Sequence, residues 1–167
     1  MRFVEDYDRK AAVEYAHTWA YGRNPFYYDY EHLGGDCTNF VSQCLYAGGG
    51  IMNYSSPFGW YYIDANRKAP AWTGVPYLHQ FLTREKQTIG PVAKPCELWE
   101  LRCGDIVQLS FDGKGFQHTP IVVLVEQPVT PERVFVAAHS DDADYRPLST
   151  YPYQRVRLLH ILGTMRP

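Results

Sequence analysis

The stretch GGDCTNFVSQCLYAGG, Gly34 to Gly49, decides how the rest of the chain is read. Two glycines and an aspartate lead into Cys37, and Phe40, Val41, Cys44 and Leu45 then recur at helical spacing before Gly48-Gly49-Gly50 ends the pattern. The spacing predicts a helix from Cys37 to about Ala47, with Asp36 as its N-cap and the glycines as its left-handed stop. Cys44 belongs to the apolar stripe. Cys37 stands at the first turn, where unpaired backbone N–H groups and the positive end of the helix dipole favour a thiolate and can also hold an oxyanion. Asp36 beside it would slightly oppose that stabilisation.

Upstream, Asp6 to Ala20 reads as another helix, with Asp6 as cap and Asn24-Pro25 beyond its end. FYYDYEHL, 26–33, is aromatic and without a period, so it is taken as a loop leading into the glycines. Downstream, WYYI, 60–63, is a short candidate strand. A third helix is expected from Trp72-Thr73 through Val75, Leu78, Phe81 and Leu82, capped by Thr73. Residues 84–100 read as a Pro-containing connection. The last third changes character: DIVQLSF, HTPIVVLV, RVFVAAH and RVRLLHIL are β-branched apolar runs of strand length, and FDGKGF between the first two is a hairpin turn. Helices first and an antiparallel sheet after them is the α+β pattern.

Composition narrows the function classes. The chain has 167 residues, which suits a single domain over 1–167. Its net charge of −2, without a basic run, excludes a nucleic-acid binder. No apolar stretch approaches 18 residues and no signal peptide is visible, so the expectation is a soluble chain without membrane partners, cytoplasmic by default. The four cysteines, 37, 44, 96 and 103, lack zinc-type spacing, and no metal site is expected. Cys37 and Cys44 are too far apart along one helix to bridge, whereas Cys96 and Cys103 are either a pair across a short loop or two free thiols.

A cysteine nucleophile needs a base, and the base needs a group that fixes its tautomer. Of six histidines, His118 stands out at the start of a strand after the DGKG turn, and His139 ends the next strand, followed by Ser140, Asp141 and Asp142. Adjacent antiparallel strands would set 118 and 139 side by side.

GGDCTNFVSQCL, with AAVEYAHTWAYGRNPFYYDY before it and AWTGVPYLHQFL, CGDIVQLSF, HTPIVV and HSDD…RPLS after it, resembles the bacterial putative amidase domain family, a branch of the papain-like cysteine hydrolases related to NlpC-type and CHAP-type cell-wall peptidases. The resemblance spans nearly the whole chain. It implies a papain-like α+β fold, Cys37 as nucleophile, His118 as general base, and His139, Asp141 or Asp142 as the residue orienting His118. By the same likeness an upstream tyrosine joins the site, Tyr30 rather than Tyr27 or Tyr28, and Asp36 and Asp141 adjoin the substrate or oxyanion. The implied reaction is cleavage of an amide, in a peptide or a peptidoglycan stem, through a thioester and without cofactor or obligate protein partner. An extracellular or cell-wall location would follow from the same likeness. A transpeptidase or acyltransferase on the same fold, or a peptide- or glycan-binding module without turnover, are the rival expectations.

Overall fold

The computed structural model describes residues 2–167. Its elements in chain order are β1 (Arg2–Val4), α1 (Arg9–Trp19), α2 (Cys37–Gly49), β2 (Tyr62–Asp64), β3 (Arg67–Lys68), α3 (Pro70–Thr73), α4 (Val75–Leu82), β4 (Gly90–Pro95), β5 (Ile106–Ser110), β6 (Ile121–Val125), β7 (Val134–Ala138), β8 (Ala143–Pro147) and β9 (Arg155–Arg166). Among these residues seven strands form one sheet in the order β1-β9-β5-β6-β7-β8, with β4 also on β9, and every pairing is antiparallel. The long β9 is the spine, pairing β5 through Arg155–Leu159 and β4 through Leu159–Met165. The fold is α+β, helices first and antiparallel sheet after.

Strand alternation divides the core into two layers. Ile106, Ile121, Ala137, Leu159 and Ile161 meet Ala12, Ala16, Phe40, Leu45, Trp72 and Leu78 from the helices. Val107, Leu109, Val122, Val134 and Val136 point the other way, under Leu148 and Tyr151. The division matters for the site, because it assigns His118 and His139 to different layers.

Several elements depart from the sequence expectation. Asp8, not Asp6, caps α1, its carboxylate accepting from the Ala11 N–H at 2.9 Å; Asp6 instead pairs with Arg166. Helix α2 runs through Gly48 and Gly49 to a left-handed Gly50. A Cβ on Gly48 would stand 2.5 Å from the Tyr7 ring, so here glycine serves close packing rather than helix termination. The expected third helix is two, α3 and α4, broken at Gly74, and Thr73 ends the first instead of capping the second. Within 84–100 the chain forms β4, a strand hidden from its sequence by Pro91 and Pro95, which an edge position tolerates.

Candidate active site

Helix α2 is set in place by its own polar side chains. Asn39 donates to the Tyr28 carbonyl and accepts from the Trp72 indole, and Ser42 donates to the Trp72 carbonyl while accepting from the Trp60 indole. These buried bonds tie the helix to the aromatic wall over it, where Trp60 and Trp72 pack ring on ring and Tyr27 joins them. Cys37 therefore begins a rigid element. Its side chain is nearly enclosed, 7 % exposed, while Cys44 is wholly buried in the core; all four cysteines are free thiols.

The N-terminus of α2 meets the segment after the DGKG turn. In that turn the Asp112 carboxylate accepts from the Lys114 and Gly115 N–H groups and Gly113 takes a positive φ, which returns the chain along β5. His118 forms an isolated bridge with Leu109, and the regular strand begins only at Ile121, after Pro120. The break brings Thr119 to the helix, where its hydroxyl lies 3.4 Å from that of Thr38. The residue next to His118 thus touches the residue next to the expected nucleophile.

His118 itself lies on the layer opposite the helices, in line with its partner Leu109. Its ring packs against Tyr151, 5.4 Å between centroids, and lines a cleft of about 370 Å³ with Phe111, Asp141, Arg146 and Tyr151. Its Nε2 and the Tyr151 hydroxyl are buried without a hydrogen-bond partner. Burial, and after it the Arg146 guanidinium, bring the His118 pKa down to about 4, against the opposing pull of Asp141. Burial likewise pushes the Cys37 thiol up, outweighing the Thr38 hydroxyl and the Thr119 and Thr38 N–H groups, and Asp36 adds to the rise. Both shifts run against the thiolate expected at the helix terminus and favour a neutral thiol and a neutral imidazole.

His139 is not beside His118. It turns to the helix layer, where its ring stacks on Phe40 at 4.0 Å, its Nδ1 lies 2.5 Å from Asp36 Oδ2, and its Nε2 lies 2.7 Å from the Trp19 carbonyl. Neither nitrogen is left for His118. Asp36 occupies the N-cap position of α2 yet makes no side-chain cap bond. Its carboxylate accepts from the Tyr30 N–H and the Asn39 amide as well as facing His139.

The remaining candidates separate in the same way. Asp142 is held by both terminal nitrogens of Arg23, at 2.9 and 3.1 Å, and Arg23 also reaches Asp29 and Glu31. Asp141 lines the His118 cleft and pairs with Arg146 at 3.1 Å. Tyr30 is buried and donates its hydroxyl to the Ala65 carbonyl at 2.9 Å, so that group is committed to the scaffold. Sequence reading missed Thr119, Arg146 and Tyr151. Thr119 adjoins His118 in HTPIVV, but nothing in the spacing of RPLSTY announced that Arg146 and Tyr151 would face the same cleft.

Comparison with known proteins bears on this arrangement. The family profile described as "Putative amidase domain" matches residues 6–162. "Uncharacterized protein YhbB" of Bacillus subtilis (strain 168) is 33% identical over 159 residues, covering 88% of this chain and 49% of that protein, so the chain spans about half its relative's length. No solved structure matches.

Proposed function

Since the chain belongs to the putative amidase domain family, we propose that it is a papain-like cysteine amidase, related in fold to the NlpC-type and CHAP-type peptidases, that cleaves an amide in a peptide or a peptidoglycan stem. Membership in the family points to amide hydrolysis. The observation that supports the cysteine mechanism is the contact between the Thr38 and Thr119 hydroxyls at 3.4 Å, which joins the head of α2 to the segment carrying His118.

In this reading Cys37 Sγ attacks the amide carbonyl while His118 accepts the thiol proton. Burial keeps the imidazole neutral and free to accept a proton at ordinary pH, but a pKa near 4 makes it a weak base, so formation of the C–S bond must drive the transfer. The thiol that burial keeps protonated gives up its proton as the C–S bond forms, so proton transfer and attack are coupled. N–H groups at the start of α2 and that of Thr119 favour the negative charge that develops. The C–N bond then breaks and His118 delivers the proton to the leaving amine. Water, deprotonated by His118, cleaves the thioester, releasing the acid and restoring the thiol. Of the three candidate orienting residues, Asp141 is the one on the same cleft, and its carboxylate would stabilise the transient imidazolium.

The test is turnover by the native chain and by Cys37→Ala and His118→Ala on muropeptides and short peptide amides. Each variant is expected to lose at least about a thousandfold in kcat/KM, as single members of such units do. Adding an amine separates hydrolysis from acyl transfer through the product formed. Full activity in Cys37→Ala would end the thiol mechanism, and no turnover by the native chain on either class would favour a binding module.

A further inference from the structure

We propose that Arg146 is the carboxylate-binding residue of the cleft, so that the site selects amides bearing a free carboxylate near the scissile bond; this rests on the reading of Cys37 and His118 given above. The guanidinium lies over the Tyr151 ring, 3.7 Å from its centroid, and that ring packs on His118. A fixed positive charge therefore stands one aromatic ring from the imidazole.

The way Arg146 is held suits it to an incoming anion. Its Nε donates to the Thr150 hydroxyl at 2.8 Å and one terminal nitrogen to the Thr150 carbonyl at 3.2 Å, which fix the plane of the fork. The other terminal nitrogen reaches Asp141 at 3.1 Å. A guanidinium has five N–H groups, so two are without a protein partner among the described residues. The third is engaged only by Asp141, whose side chain is 87% exposed and whose backbone sits at φ 67°. An exposed pair of this kind contributes little, and a substrate carboxylate can displace it with little loss.

The replacement is favourable because a planar fork binds a carboxylate through two parallel N–H bonds, whereas Asp141 reaches one terminal nitrogen only. The buried, unpartnered His118 Nε2 and Tyr151 hydroxyl lie on the same wall.

The experiment titrates acetyl-Ala-Ala and acetyl-Ala-Ala-amide into Cys37→Ala protein by calorimetry, so that binding is read without turnover. The free acid is expected to bind about tenfold more tightly than the amide. Arg146→Gln should bring the two within about twofold and leave the amide affinity unchanged, while Arg146→Lys keeps part of the preference. Asp141→Asn, which removes the competing carboxylate, should tighten the acid severalfold and serves if Arg146→Gln fails to fold. Equal affinity for acid and amide, absence of binding by both included, would overturn the proposal, as would a preference that survives Arg146→Gln or an acid affinity that Asp141→Asn does not raise. The preference does not depend on the thiol, so it would persist if Cys37 proved inert and vanish without harming a working Cys37.

Discussion

At the scale of single residues, two histidines in one sheet have opposite circumstances. His118 is buried with nothing on its Nε2, and its pKa near 4 lies well below the ordinary value of 6.5. Between those two values the unfolded chain binds the proton and the folded chain does not, so stability is fully present above pH 6.5 and falls as the pH drops toward 4. The loss should amount to roughly 3 kcal/mol. Urea unfolding at pH 7 and pH 4 is expected to show a difference that shrinks by this amount in His118→Gln; an unaltered pH slope would contradict it. His139, by contrast, is fully partnered, and its contact with Asp36 is buried at both ends. Removing Asp36 leaves the buried His139 Nδ1 and the Tyr30 and Asn39 N–H groups without their acceptor, together about 3–5 kcal/mol at roughly 1–3 kcal/mol for each such group. Asp36→Ala should lose that much in urea at pH 7, and a loss below about 1 kcal/mol would mean the pair is dispensable. Its neighbours Ser140, which accepts the Asp36 N–H, and Arg23, which holds Asp142, make this the brace beneath α2.

At the scale of elements, the helix α2 was legible in its sequence and its surroundings were not. The recurrence of Phe40, Val41, Cys44 and Leu45 is a local signal, and the same residues are buried in the core. The role of Gly48 is non-local. Its Cβ position is filled by the Tyr7 ring and the Asp8 carbonyl, which lie forty residues earlier in the chain, so no pattern within the helix could reveal it. Gly48→Ala is expected to destabilise by about 1–3 kcal/mol, whereas Gly49→Ala, which meets only the Thr164 hydroxyl at 3.3 Å, should cost clearly less in thermal unfolding. Equal effects at the two positions would undo this account of the helix packing. The strands β5, β6, β7 and β9 were equally plain from their β-branched runs. Strands β1, β4 and β8 were invisible for separate reasons: the first has three residues, the second carries two prolines, and the third, ADYRP, has the composition of a loop.

At the scale of the whole molecule, the helices meet the sheet so that the head of α2, which carries Cys37, touches the segment of His118 leading into β6, although the two are eighty residues apart. Sequence reading found these two because each sits at a local boundary, a helix start and a turn exit. It did not find Arg146, which enters the cleft from β8, or Tyr151, which enters it from the β8–β9 connection, and it assigned His139 to His118 because strand adjacency alone does not say which face a side chain takes. Alternation supplies that answer only once the register is known, and here Leu109 fixes His118 on one face while Phe40 stacks on His139 at the other. The claim at the centre is covalent chemistry at Cys37. It is tested most directly by mixing the protein with a turned-over peptide amide or its activated ester, quenching in acid, and measuring the intact mass and the labelled fragment. The account predicts an added acyl group on Cys37 alone, absent in Cys37→Ala and discharged by hydroxylamine as a thioester must be. Turnover with no acyl adduct, continuing undiminished in Cys37→Ala, would contradict it.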